Sequence, residues 1–145
     1  MKNLQKTGHP LRPLDTIIIH CSATPEGRDV SADDIRSWHK ARGWRDIGYH
    51  FVVNIDGFLQ MGRPIDQIGA HAKGYNRKSI GICYIGGTDA DLNAKDTLNE
   101  KQKETIQALI IDLKRSYPTI TNLIGHNEVS AKTCPNFVVG DKFTL

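Results

Sequence analysis

Short apolar segments rich in β-branched residues alternate along this chain with two segments of helical periodicity, and this order constrains the fold more than any other feature. The apolar segments are residues 16–20 (TIIIH), 49–54 (YHFVVN), 58–61, 79–85 (SIGICYI) and 121–126. Asp56-Gly57, between the second and the third, is a strong β-hairpin signal. Because strands and helices are interspersed, the pattern predicts a mixed α/β fold, a central mixed β-sheet flanked by α-helices.

Both helical segments begin with a capping-box pattern. Ser31 to Asp34 open the first, which is expected to end at Gly43. Thr97 to Glu100 open the second and Pro118 closes it. Its apolar stripe consists of Ile106, Leu109, Ile110, Leu113 and Tyr117.

The length of 145 residues predicts one domain spanning residues 1–145, with residues 1–14 as an N-terminal extension. A formal charge of +3 is too small to indicate a nucleic-acid binder, and no apolar run is long enough for membrane insertion. The first fifteen residues contain no apolar signal-peptide segment, so we expect synthesis in the cytoplasm. Three widely spaced cysteines argue against a disulfide framework.

Three residues that could bind a metal lie at the ends of predicted strands or in a loop. His20 ends the first strand, His126 ends the last, and Cys134 follows in a loop. Side chains alternate along a strand, so Cys21 is expected to point away from His20 into the core, and Cys83 is expected in the core as well. Two imidazoles, a thiolate and one open position form the pattern of catalytic zinc sites. A structural site would need a fourth ligand, for which His50 or His71 is available.

Two further positions carry groups suited to hydrolysis. Lys132 stands two residues before Cys134, and in an extended segment both face the same way, which would place an ammonium beside the metal. Tyr49 and His50 are neighbours on one strand and must face opposite sides. Imidazole titrates near neutral pH, which favours His50, but the sequence alone leaves this pair open.

Four blocks, in order, resemble one family. They are residues 20–24 (HCSAT), 35–51 (IRSWHKARGWRDIGYHF), 71–83 (HAKGYNRKSIGIC) and 126–137 (HNEVSAKTCPNF). The chain is similar to type 2 N-acetylmuramoyl-L-alanine amidases, and above all to their phage-lysozyme-like branch, which is related to animal peptidoglycan recognition proteins. The resemblance runs from Asp15 to Phe137.

The resemblance implies a mixed sheet with helices packed on it and a groove for a peptidoglycan stem. It places one catalytic Zn²⁺ on His20, His126 and Cys134, and it assigns catalysis to Tyr49 and Lys132 instead of His50. The positions similar to groove-lining positions in the family are Trp38, His39, His71 and Asn76. Gly43-Trp44 with Arg63 resembles the family's signature for stems that contain meso-diaminopimelate, whose extra carboxylate an arginine can bind.

The expected function is zinc-dependent hydrolysis of the amide between N-acetylmuramic acid and L-alanine. A monomer that acts on the cell wall in the manner of an endolysin is expected, with peptidoglycan or soluble muropeptides as its substrate. Glu128 is the alternative to Tyr49 as the general base. The alternative functions are a peptidoglycan-binding module without activity, a cytoplasmic amidase that recycles muropeptides, and a structural zinc protein.

Overall fold

The computed structural model describes residues 12–145. The predicted N-terminal extension therefore lies outside the described residues, apart from its last three positions. Of these, Arg12 and Leu14 are buried against the domain. No helix within residues 12–145 is long and apolar enough to cross a membrane.

Five strands form the central sheet, in the order β4-β3-β5-β1-β7. The strands are β1 (Thr16–Cys21), β3 (Phe51–Val53), β4 (Leu59–Met61), β5 (Ser79–Tyr84) and β7 (Asn122–Gly125). β1 pairs in parallel with both β5 and β7, β3 is parallel to β5, and only β4 is antiparallel to its neighbour. The mixed sheet predicted from the sequence is confirmed.

Two short strands that the sequence pattern did not predict form a separate parallel pair, β2 (Thr24–Pro25) with β6 (Gly87–Thr88). Each comes shortly after a central strand in the chain: β2 follows β1, and β6 follows β5. With two residues each, they are too short to produce a recognisable alternation.

The helices α1 (Ala32–Ala41) and α2 (Glu100–Ser116) cover opposite faces of the sheet. The apolar stripe of α2 packs on one face, formed by residues such as Ile17, Ile19, Ile80 and Ile82. α1 packs on the other face through Ala32 and Ile35, against a cluster that includes Val52, Cys83 and Ile85. Cys21 and Cys83 are both buried in these clusters, as the alternation of side chains predicted.

The capping box of α1 is the predicted one, in which Ser31 and Asp34 bond reciprocally. The capping box predicted for α2 was wrong. The helix begins two residues later, with Asn99 as its N-cap and Gln102 as the reciprocal partner. Thr97 is used elsewhere, because its Oγ1 accepts a hydrogen bond from the backbone N–H of Gly87 at 2.7 Å.

Candidate active site

Parallel pairing brings the carboxyl ends of β1 and β7 together, and each supplies a histidine. His20 lies on β1, one residue before its end, on the face opposite to Cys21. His126 follows β7 directly and begins a short 3₁₀ helix. Because Ile19 of β1 pairs with Gly125 of β7, the two imidazoles stand side by side, with ring centroids 4.5 Å apart.

The loop after the 3₁₀ helix returns to the end of β1 and adds a thiol. The backbone N–H of Cys21 donates a hydrogen bond to Cys134 Sγ at 3.0 Å. One ligand atom from each of His20, His126 and Cys134 lies within 4.8 Å of the other two, and no other such group of three occurs in residues 12–145. Two imidazoles and one thiol are a donor set typical of zinc. The three side chains therefore fit the predicted metal.

The two histidines considered as a fourth ligand are engaged elsewhere. His71 Nδ1 lies 2.8 Å from His20 Nε2, and His71 Nε2 lies 3.2 Å from Ser79 Oγ. His50 Nδ1 accepts the backbone N–H of Gly81 at 3.0 Å, so its other nitrogen donates to the carbonyl of Gln67. The described residues therefore supply three ligands and no fourth imidazole, which matches a catalytic site better than a structural one.

Electrostatics keep the two ligand imidazoles neutral. Burial, followed by the neighbouring His71 and His126, lowers the pKa of His20 well below its ordinary value. Burial and the nearby ammonium of Lys132 lower the pKa of His126. A neutral imidazole is the form that binds a metal. In the metal-free protein the adjacent Cys21 and burial raise the pKa of the Cys134 thiol, so metal binding has to release a proton there.

Tyr49 and Lys132 line the same cavity of about 250 Å³ as the three candidate ligands. The Tyr49 ring centroid is 5.1 Å from that of His20. Burial raises the pKa of the Tyr49 phenol well above its ordinary value, so the hydroxyl stays protonated at neutral pH and acts as a hydrogen-bond donor. Lys132 is exposed at the rim of the cavity. His50 does not line the cavity, and β3 begins one residue after it, so Tyr49 and His50 do not lie on one strand as the sequence predicted.

The carboxylate of Glu128, the alternative general base, accepts a hydrogen bond from the backbone. Glu128 Oε2 accepts the N–H of Gly125 at 2.7 Å and so caps the 3₁₀ helix that begins with His126. Its side chain is exposed and does not line the cavity.

A groove continues from this cavity into a second one of about 580 Å³. The two share Trp44, Ala70, His71, His126 and Lys132 as lining residues, so the candidate ligands lie along one continuous surface.

The predicted groove residues differ in which cavity they line. Trp38, His39 and Trp44 line the first cavity, and Asn76 lines the second. His71 touches both but is only 9% exposed and is hydrogen bonded to His20. Gly43, with a φ of +93°, lines neither cavity and allows the chain to turn at the end of α1.

His39 and Asn76 also hold the walls of the groove. His39 Nδ1 accepts the backbone N–H of Gly48 at 2.9 Å, and burial together with Arg42 lowers the pKa of His39 to about 4. Asn76 Oδ1 accepts the backbone N–H groups of His71 and Ala72, each at 2.9 Å. Both side chains therefore fix the backbone beside the groove.

The structure places Arg63 outside the groove. Its side chain is 6% exposed and lines neither cavity. The guanidinium donates to the carbonyls of Ile47, Ile68 and Asp46 at 2.9, 2.8 and 3.2 Å. These carbonyls occupy three of the N–H groups of the guanidinium, and the contact with a substrate carboxylate that the resemblance implied stays a prediction.

Sequence reasoning missed two cations of the groove wall, Arg42 and Lys73, of which Lys73 lines the second cavity. Arg42 follows α1 and lines the first cavity, with its guanidinium carbon 5.8 Å from the centroid of the Trp44 ring. A basic residue at a helix C-terminus is ordinarily a solvated group that complements the helix dipole, so the sequence carried no signal of a groove position.

Comparison with known proteins identifies one family. The family model described as N-acetylmuramoyl-L-alanine amidase matches residues 10–137. An endolysin of Klebsiella phage KP32 is 43% identical over 121 residues, which cover 83% of this chain and 80% of the endolysin.

Solved structures agree with this assignment. The N-acetylmuramoyl-L-alanine amidase LysC from Clostridium intestinale superposes with a TM-score of 0.74 at 29% identity, covering 88% of this chain and 79% of that one. A complex of tracheal cytotoxin with the ectodomains of the peptidoglycan recognition proteins LCa and LCx gives a TM-score of 0.73 at 32% identity, covering 92% and 86%.

Proposed function

This chain belongs to the N-acetylmuramoyl-L-alanine amidase family, and from that membership we propose that it is a zinc hydrolase acting on bacterial cell walls. The substrate is the amide that joins N-acetylmuramic acid to the L-alanine of a peptidoglycan stem. The single observation that carries the proposal is the group of His20, His126 and Cys134, which offers three zinc ligands beside a groove. The whole chain is proposed to form one amidase domain.

His20, His126 and Cys134 would hold the ion. When bound, zinc supplies Lewis-acid chemistry, which polarises a carbonyl and lowers the pKa of a coordinated water. The backbone N–H of Cys21 stabilises the thiolate that this binding requires, since it already donates to Cys134 Sγ.

Lys132 and Tyr49, which both line the cavity, act on the substrate. Attack of water on the amide carbon places negative charge on the amide oxygen. The Lys132 ammonium at the rim stabilises that charge as it develops. The Tyr49 hydroxyl, held protonated by burial, donates a hydrogen bond that orients the attacking water or the oxyanion and does not remove a proton.

The proposed preference is for stems that contain meso-diaminopimelate. Its support is the pair Gly43-Trp44 together with Arg42, the exposed cation that lines the groove beside Trp44. We expect the kcat/KM for a muropeptide with meso-diaminopimelate to exceed that for the matched lysine stem by about tenfold, or ~1.4 kcal/mol. Equal values for the two stems would contradict this preference.

The amidase proposal is tested by comparing two cysteine variants on purified sacculi. Cys134→Ala removes a proposed ligand, whereas Cys83→Ala removes a buried thiol on the same sheet that is not a candidate ligand but contacts Tyr49. Mass spectrometry should detect release of L-alanine-terminated stem peptides by the wild type, and Cys83→Ala should retain zinc. Cys134→Ala should release none and should retain no zinc.

Two outcomes would contradict the proposal. Wild-type protein that binds sacculi tightly without releasing stem peptides would be a recognition module. Release that persists after a chelator has removed all metal would exclude the zinc mechanism.

A further inference from the structure

Beside the candidate metal site, three buried polar side chains form a continuous line of contacts. His20 Nε2 lies 2.8 Å from His71 Nδ1, and His71 Nε2 lies 3.2 Å from Ser79 Oγ. The His20 and His71 rings meet at 85° with their centroids 4.9 Å apart, an edge-on arrangement. His20, His71 and Ser79 are 1%, 9% and 0% exposed, so water cannot replace these contacts freely.

Gly81 and Gly69 leave room for the His71 imidazole because they have no side chains. A Cβ atom on Gly81 of β5 would lie 2.6 Å from His71 Cγ, and one on Gly69 would lie 2.8 Å from His71 Cδ2. Asn76 Oδ1 fixes the backbone at the start of the same segment by accepting the N–H of His71. The ring is therefore enclosed by glycines that leave room for it, and its backbone is held in place from the other side.

If His20 binds a metal, only one arrangement of donors and acceptors is possible along the contacts of His20, His71 and Ser79. A neutral imidazole carries one N–H and one acceptor nitrogen. With His20 Nε2 directed at His71, the nitrogen left for a metal is Nδ1, and the ring proton must then be on Nε2. His20 Nε2–H donates to His71 Nδ1, which puts the His71 proton on Nε2, where Ser79 Oγ accepts it.

We propose that His71, supported by Ser79, is a positioning residue that fixes the orientation and the tautomer of His20 for zinc binding. The inference rests on the proposed function, because it presumes the zinc site. It gives His71 a role beyond the groove wall that the resemblance implied. Partners of this kind around metal ligands raise the affinity for the metal.

Two amide variants of His71 separate this role from simple filling of space. The Oδ1 of an asparagine lies near the position of Nδ1, whereas the Oε1 of a glutamine lies near that of Nε2. The dissociation constant for zinc is measured by chelator competition on the full chain. We expect His71→Asn to bind zinc within about threefold of the wild type and His71→Gln to bind it about 10- to 100-fold more weakly.

His50→Asn is the matched control. His50 is also buried, but its ring bonds to Gly81 and Gln67 and not to a candidate ligand. This variant should keep the zinc affinity of the wild type even where it lowers the midpoint of thermal unfolding. Thermal unfolding of each metal-free variant shows whether the compared proteins are equally folded.

The outcomes distinguish the two proposals. If the wild type binds no zinc, the proposed function fails and this inference with it. If the wild type binds zinc and the two amide variants bind it equally well, only the role of His71 is overturned. Should both His71 variants fail to fold, Ser79→Ala decides, because the proposal expects it to weaken zinc binding severalfold and unchanged affinity would overturn it.

Discussion

At the scale of single residues, the burial of Tyr49 decides what its hydroxyl can do. A phenol that removes a proton from water must itself ionise, and burial makes that harder by raising the pKa of Tyr49. The hydroxyl is therefore suited to donating a hydrogen bond, and the ring that carries it lies beside that of His20. Glu128 is a better base in principle, but its carboxylate caps the backbone at Gly125.

A pair of variants tests this assignment. We expect Tyr49→Phe to lower kcat by about 100-fold, the typical effect of removing one donor to a developing oxyanion, while the bound zinc remains. Glu128→Gln should keep kcat within a few-fold, because an amide oxygen can still accept the Gly125 N–H. Turnover on a soluble muropeptide and zinc content are measured for both. A loss of turnover confined to Glu128→Gln, with zinc retained, would make the carboxylate the base.

The same residues show how far the sequence could lead. Alternation along β1 correctly separated His20 from Cys21, because it is a property of any strand. The convergence of His20, His126 and Cys134 needed the family resemblance, since the spacing of these residues matches no short zinc motif. The contact between His71 and His20 joins residues 51 positions apart, and no local pattern indicates it.

At the scale of elements, Arg63 connects two segments that border the groove. Its guanidinium binds the carbonyls of Asp46 and Ile47 before β3 and that of Ile68 after β4. Trp44 and Ala70, which line both cavities, lie within two residues of these carbonyls. Arg63 therefore affects the groove through the backbone that it holds in place.

This role predicts a loss of stability without a change in specificity. Arg63→Met should lower the free energy of unfolding by about 3 kcal/mol, because it leaves one buried and two partly buried carbonyls without these donors. The ratio of kcat/KM for diaminopimelate and lysine stems should stay unchanged. Arg42→Met is the comparison, since it should alter that ratio and leave stability nearly unaffected. If Arg63→Met abolishes the stem preference in a protein of wild-type stability, Arg63 is a substrate ligand after all.

Helices and strands were predicted from local sequence patterns. The errors occur where a side chain forms a hydrogen bond with a residue far away in the sequence. The periodic stripe of α2 was predicted correctly because it packs as one face on the sheet. The N-cap of α2 was missed because Thr97 bonds to Gly87, ten residues earlier in the chain. The backbone partners of Arg63 could not be predicted for the same reason, since they belong to segments that only the folded chain brings together.

At the scale of the whole molecule, the two faces of the sheet differ in the residues that they carry. One face carries α2 and the larger apolar cluster, and the other carries α1, the groove and four buried histidines with lowered pKa values. These four are His20, His39, His50 and His71. Burial is the first cause of the shift in each. The face that carries the candidate site is therefore also the face that acid destabilises.

His50 makes this acid sensitivity measurable. Burial lowers the pKa of His50 to about 4 in the folded protein, against a usual value near 6.5. The unfolded chain therefore binds more protons than the folded one between these values, and stability that is complete above pH 6.5 is lost as the pH falls towards 4. For one group the loss amounts to about 3 kcal/mol at most.

His50→Asn should flatten this dependence. The asparagine oxygen can still accept the Gly81 N–H, so the variant is expected to fold, with a lower free energy of unfolding at pH 7. Between pH 6.5 and 4 it should lose less stability than the wild type does, because one of the four buried imidazoles no longer takes up a proton on unfolding. Urea unfolding with a chelator present measures this slope without a contribution from zinc. An identical slope for the two proteins would mean that His50 is not held neutral by the fold.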